Sequence, residues 1–293
     1  MSLGPMAAGA KREPMFDAAA AAIPEVEAEL SVPKDPRAAA FFDVDNTILR
    51  GASAFHLARG LAARNYFSGA DLAGFAWKQA KFALGGKEDR ADMAAATAAA
   101  LTFVAGRDVA ELVGIGEEIF DEYIIDKLWP GTLALAQSHL DAGQRVWLVT
   151  ATPIELAEVI ARRLGLTGAL GTTSEIRHGH YTGRLLGHPM HGPAKASAVR
   201  ELAIHEGLEL ERCSAYSDSA NDIPLLSLVG HPTAVNPDRE LLRYARTHSW
   251  PVRDYRRSRR VWRVTVPGAA TAGIAAGVGI GIVATRHRGD AAR

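Results

Sequence analysis

Short, wholly apolar runs separated by longer amphipathic stretches organise most of this 293-residue chain. The run Ala38-Ala39-Ala40-Phe41-Phe42 has no polar position. It predicts a strand covered on both faces, since a strand with a wet side would alternate. From Gly51 to Asp126 the pattern changes to Ala, Leu and Phe at mixed three- and four-residue spacing, with charges between them, no proline, and a break at Gly85-Gly86. That periodicity predicts a bundle of helices. Beyond it, helices and strands alternate. Pro130 opens a helix that runs to about Ala142 and closes at Gly143; Arg145 to Thr150 is an apolar strand; Pro153 starts a helix to about Leu164. Gly171 to Ile176 reads as a strand, with a hairpin around Gly179, Tyr181 and Gly183. Ala194 to Glu206 is a helix, Cys213 to Ser217 a strand, Asp222 to Leu228 the start of a helix, and Thr233 to Val235 a final short strand. Strands separated by helices predict an α/β fold with a doubly wound parallel sheet.

This pattern divides the chain into a disordered lead-in at 1–35, a Rossmann-like core at 36–50 and 127–252, and an inserted helical-bundle cap at 51–126. The lead-in has no continuous apolar stretch after a basic start, so no secretory signal is expected. A basic segment at 253–263 precedes a C-terminal hydrophobic helix at 264–285. From Val264 to Thr285 no residue is charged, which is long enough to span a bilayer. Gly273, Gly277 and Gly281 form two overlapping GxxxG steps, leaving a homodimer open. The arginine excess before the helix places the main domain in the cytoplasm, anchored to the inner membrane, and suits contact with anionic lipid.

Composition narrows the partners. Lysine plus arginine and aspartate plus glutamate both number 33, so no polyelectrolyte partner is implied and no nucleic acid is expected. The single cysteine, Cys213, excludes an internal disulfide and reads as a small apolar residue.

The candidate chemistry begins where the first strand ends, at Asp43-Val44-Asp45-Asn46-Thr47. Positions i and i+2 of an extended stretch point the same way, so Asp43 and Asp45 can face one pocket. Ligands of open α/β sheets collect at that carboxyl edge. A calcium-binding EF-hand loop starting at Asp43 is excluded, because its sixth and twelfth positions are Ile48 and Ala54 rather than Gly and Glu. Three further groups fall at the same edge: Thr150 at a strand end, Lys195 in a helix's first turn, and the pair Asp218 and Asp222 where a strand becomes a helix. Alone each is commonplace. Together they supply four carboxylates, a hydroxyl and an ammonium.

The ordered set DVDNT, LVTAT, Lys195 and SDSANDIPLL resembles the haloacid dehalogenase (HAD) superfamily of phosphohydrolases over residues 36–252. Within it the chain looks most like the phosphoserine-phosphatase-like subfamily IB, with Ala234-Val235-Asn236-Pro237-Asp238 after the last motif. The resemblance implies an Mg2+-dependent phosphomonoester hydrolase acting on a small phosphorylated metabolite. It implies Asp43 as nucleophile, Asp45 as acid and base, and Thr150 and Lys195 as phosphate-binding groups. It assigns the metal to Asp43, the backbone carbonyl of Asp45, and Asp218, with Asp222 and Thr47 supporting from behind. One departure concerns the substrate. Phosphoserine phosphatases carry Glu nine residues after the nucleophile, where this chain has Ala52, which disfavours phosphoserine itself. The cap's substrate-binding arginine has Arg90 as its candidate, and Arg50, His56 and Arg59 stand at the cap entrance. Alternative readings are a phosphotransferase, a phospholipid-headgroup phosphatase, and a catalytically quiet membrane-associated binding protein.

Overall fold

The first strand, β1 (Ala39–Phe42), has every residue buried. Its side chains alternate between two separate cores, Ala40 and Phe42 on one face and Ala39 and Phe41 on the other, as the two-residue period of a strand requires. The computed structural model describes residues 32–66 and 104–256. The expected lead-in up to residue 31, the part of the cap at 67–103 with Arg90, and the expected membrane helix from Val264 to Thr285 lie outside them. Among the described residues no helix is long and apolar enough to cross a membrane.

Chain order after β1 is α1 (Ser53–Ala63), α2 (Val109–Ile119), α3 (Pro130–Asp141), β2 (Arg145–Pro153), α4 (Ile154–Arg163) and β3 (Gly168–Thr172). Then come the strands β4 (Ser174–Arg177) and β5 (His180–Leu185), followed by α5 (Pro193–Glu206), β6 (Ser214–Ser217), α6 (Ile223–Leu226), β7 (His231–Val235), α7 (Arg239–Thr247) and β8 (Val252–Arg253). Six strands form one parallel sheet in the order β3-β2-β1-β6-β7-β8. Leu133, Leu135 and Ala136 of α3 and Leu156, Val159 and Ile160 of α4 cover one face; Val199 of α5, Leu225 and Leu226 of α6 and Leu241 of α7 cover the other. The doubly wound parallel sheet is therefore present.

Three boundaries differ from the pattern reading. The expected strand Gly171 to Ile176 is two strands. β3 joins the main sheet beside β2, whereas β4 pairs antiparallel with β5. Their tight turn places His178 and Gly179 at positive φ, the geometry that suits a two-residue hairpin. Second, α7 follows the strand that was expected to be last. Asp238 caps it, accepting from the Leu241 N–H at 2.7 Å. Third, the sheet continues to β8, so the first residues of the expected juxtamembrane segment belong to the core.

The described ends of the expected cap join the sheet-bearing core through two adjacent linkers. The Arg50 N–H donates to the Lys127 carbonyl at 2.7 Å, and the Trp129 N–H to the Ile48 carbonyl at 2.8 Å. Between these linkers α1 crosses α2 closely at Gly60, where a Cβ would run into the Ile119 side chain.

A neutral polar cluster lies within the core beside β1 and β6. His139 Nδ1 is 2.7 Å from Gln144 Oε1, and its Nε2 is 2.7 Å from the Tyr216 hydroxyl. An amide oxygen can only accept, so the proton sits on Nδ1 and Nε2 accepts from the tyrosine. Burial lowers the His139 pKa from its ordinary value and favours this neutral form. Tyr216 also stacks on Phe42, with ring centroids 4.3 Å apart.

Candidate active site

Strand order decides where chemistry can collect. The chain winds from β1 through β2 to β3, then returns to the other side of β1 through β6, β7 and β8. The reversal lies between β1 and β6, and a crevice opens at such a switch point, at the carboxyl ends of the strands. Asp43 follows β1 directly and Asp218 follows β6 directly. The Asp43 N–H donates to the Tyr216 carbonyl at 2.9 Å, tying the two ends together.

Lys195, in the first turn of α5, is buried and crosses to this point. Its Nζ donates to Asp43 at 2.6 Å and to Asp222 at 2.7 Å. Asp222 also accepts from the Ser217 hydroxyl at 2.7 Å. Burial alone would lower the lysine pKa, but the two carboxylates outweigh it and hold the ammonium above its ordinary value. Burial raises Asp43 to about 7; Lys195 opposes that rise, while the charges of Asp222 and Asp45 reinforce it. Asp218 is pushed up to about 8 by burial and by the charges of Asp43 and Asp222. Two carboxylates thus contact a single ammonium, and Asp45 and Asp218 lie within reach of its charge, so carboxyl groups outnumber the cation.

Asp45 sits two residues beyond Asp43, where its charge reaches the nucleophile candidate. It accepts from the Ser53 N–H at 2.8 Å. Burial raises its pKa, and hydrogen bonds from Ser53 moderate the shift. Between them Asn46 turns the chain in the left-handed region, with φ of 54°, and its side chain accepts from the Gly51 N–H at 3.0 Å. Thr47 is fully buried in the same turn.

Thr150 belongs to a chain of hydroxyls. It donates to Thr152 Oγ1 at 2.9 Å, and Thr152 is 2.6 Å from Ser53 Oγ. The sequence reading missed both Thr152 and Ser53. The signal for Thr152 was present: β2 extends to Pro153, so residues 150 and 152 share a side. Ser53 had no local signal, because its role comes from the first turn of α1 meeting the end of β2. Ala52 immediately precedes that helix, so no carboxylate is offered at its position.

The cap-entrance residues take ordinary structural places. His56 is buried and its Nε2 lies 3.0 Å from the Arg50 carbonyl; Arg50 stacks over Trp129 and Arg59 over Tyr123. Among the described residues no group of three or more His, Cys, Asp or Glu side chains is disposed to hold a metal. The expected magnesium set has only two carboxylates plus a backbone carbonyl.

Residues 40–227 match the haloacid dehalogenase-like hydrolase family. A Mycobacterium tuberculosis (strain ATCC 25618 / H37Rv) protein named phosphoserine phosphatase SerB1 is 58% identical over 256 residues, covering 87% of this chain and 83% of the relative. A histidinol-phosphatase of Neisseria meningitidis serogroup C (strain 8013) is 35% identical over 150 residues, covering 50% of this chain and 68% of its own. Among solved structures, a protein of unknown function from Bordetella pertussis Tohama I superposes with a TM-score of 0.66 at 30% identity, covering 75% of this chain and 99% of that one. The chain belongs to the haloacid dehalogenase-like hydrolases, and the expectation of a phosphatase of that family stands.

Proposed function

We propose that the chain is a magnesium-dependent phosphomonoesterase that forms an aspartyl-phosphate on Asp43. The observation that carries this reading is Lys195 held between Asp43 and Asp222 at the switch point of the sheet. Of its three N–H donors two serve those carboxylates, leaving one for a phosphoryl oxygen. Thr150 is the second phosphate-binding group, its one hydroxyl proton turning from Thr152 Oγ1 to a phosphoryl oxygen when substrate binds. Both offset the repulsion between an approaching carboxylate and a phosphate ester.

A carboxylate oxygen of Asp43 attacks phosphorus and the ester P–O bond breaks. Asp45, whose pKa burial raises, gives its proton to the departing alkoxide. It then takes a proton from water as that water attacks the acyl phosphate, and the P–O bond to Asp43 breaks to release phosphate. The donor set fits magnesium, because Asp43, Asp218 and the Asp45 carbonyl are all hard oxygen ligands and their negative charge exceeds what Lys195 balances. When bound there the ion would supply charge neutralisation. Asp222 and the Ser217 hydroxyl keep Lys195 in place.

The substrate is a small phosphate monoester. The relative named for phosphoserine puts phosphoserine at the head of the panel, yet Ala52 leaves its amine without the usual carboxylate, and a second relative is named for histidinol phosphate. Hydrolysis of p-nitrophenyl phosphate with magnesium tests the reaction: wild-type turnover surviving in Asp43→Asn would refute it. Relative kcat/KM for phosphoserine and histidinol phosphate then orders the substrates. We also propose that Val264 to Thr285 anchors the enzyme to a membrane. A chain truncated after Arg256 should leave the membrane fraction; equal partitioning of full-length and truncated chains would exclude the anchor.

A further inference from the structure

Asn236 makes three hydrogen bonds that join separate parts of the catalytic edge. It is 3% exposed and left-handed, with φ of 49°. Its Nδ2 donates to the Asn46 carbonyl at 3.1 Å, inside the turn that carries Asp43 and Asp45. Its Oδ1 accepts from the Tyr255 N–H at 2.8 Å, and its own N–H donates to the Arg253 carbonyl at 2.7 Å. Two residues on, Asp238 N–H donates to the Asp218 carbonyl at 2.7 Å, and Asp238 Oδ2 accepts from the Ala220 N–H at 2.9 Å. The short segment Asn236-Pro237-Asp238 therefore holds the Asp43 loop through one side chain and the Asp218 loop through the other. Its remaining tie, Tyr255, is itself fixed, because its ring lies where a side chain at Gly131 of α3 would be.

We propose that Asn236 is a positioning residue for phosphoryl transfer: it sets the nucleophile loop against the Asp218 loop and braces both on the C-terminal strand segment. The inference rests on the reading of Asp43 as nucleophile. Chemical need favours such a device, because the two loops come from strands far apart in sequence and Lys195, which bridges Asp43 to Asp222, leaves the repulsion between Asp43 and Asp218 to spread them. A displacement of about 1 Å at a reacting group costs roughly 100-fold in rate. Asparagine suits the place for two reasons, its tolerance of the left-handed region and its amide with both a donor and an acceptor.

The test uses two full-length variants. Asn236→Gly keeps the left-handed backbone without strain and removes both side-chain bonds. Asn236→Asp keeps the acceptor for Tyr255 and removes the donor to Asn46. Both should lower kcat on p-nitrophenyl phosphate about 10- to 100-fold with KM changed less than about 3-fold. Amide hydrogen exchange should quicken in the Asn46–Gly51 turn of both, and at Tyr255 in Asn236→Gly alone. A kcat within about 3-fold of wild type in Asn236→Gly overturns the proposal, as does unchanged exchange in that turn. If the wild type itself hydrolyses no phosphate ester, the phosphatase reading falls. Exchange at Asn46–Gly51 then still decides the tie: faster exchange upholds it and unchanged exchange overturns it.

Discussion

Around the β1–β6 pair, Lys195 lies between Asp43 and Asp222 in one buried cluster, and His139 lies between Gln144 and Tyr216 in another. The second cluster is balanced: each donor meets an acceptor, no net charge is buried, and the imidazole stays neutral. The first is not. Asp43, Asp45, Asp218 and Asp222 crowd one ammonium, and Asp43 and Asp218 rise far above the ordinary carboxylate range. A fold that needed only stability would not retain that crowding, since burying unbalanced charge is costly. Imbalance suits the group proposed to meet a phosphate and a cation, whereas balance suits a group that holds the core.

Substitutions can break this contrast, the largest effect coming from the proposed nucleophile. Asp43→Asn is expected to lower kcat/KM by at least about 10⁴-fold, as removal of a covalent nucleophile does. Because it relieves repulsion, its melting temperature should not fall below that of wild type by more than a few degrees, measured by calorimetry. Lys195→Ala should damage both properties. Losing the proposed phosphate donor should cost about 10²–10³-fold in kcat, and leaving Asp43 and Asp222 buried without their partner should cost about 3–5 kcal/mol by urea unfolding. Tyr216→Phe should do the reverse of Asp43→Asn. It leaves His139 Nε2 buried without a donor, at about 1–3 kcal/mol in stability, with kcat/KM within about 3-fold because the Tyr216 carbonyl still holds the Asp43 N–H.

The smallest effect separates the clusters by sign. A carboxyl raised in the folded state lends stability that is full below its unfolded pKa near 3.9 and lost as pH rises through the folded value. For Asp43 and Asp218 that loss extends up to about pH 7 and 8. His139, lowered on folding, lends stability that is present above its unfolded pKa near 6.5 and lost as pH falls. In chelator, acidification from pH 8 to 6.5 should therefore raise the melting temperature of the wild type, and Asp218→Asn should flatten that rise. From pH 6.5 to 5 the two carboxyls keep adding stability while His139 subtracts from it, so the rise should continue and His139→Leu should show a steeper rise than wild type. Equal slopes in wild type and both variants would show that neither cluster titrates as described.

Much of the fold was legible because its signals are local. Phe41 and Phe42 announced a strand with two covered faces, and Pro130, Gly143 and Gly165 marked helix ends within one or two residues. The elements misread were those whose identity depends on a partner. β3 and β4 appear as one strand in the pattern, and only pairing with β2 or with β5 separates them. β8 is two residues long and exists through its bonds to β7. The same division runs through the site. Asp43, Asp45, Thr150, Lys195, Asp218 and Asp222 each stood in a motif at a strand or helix end. Ser53 and Asn236 also stand at element ends, but their roles were not legible there, because their contacts lie across the fold, to Thr152 and to Asn46.

By itself the sequence determined which groups arrive at the carboxyl edge, because strand period and helix start are short-range properties of the chain. Tertiary structure alone decided which of those groups share charge. Lys195 reaches Asp43 across 152 residues and Asp222 across 27, and Asn236 reaches Asn46 across 190. Such contacts depend on sheet order and on the exclusion of water around them, and neither is encoded in any one segment.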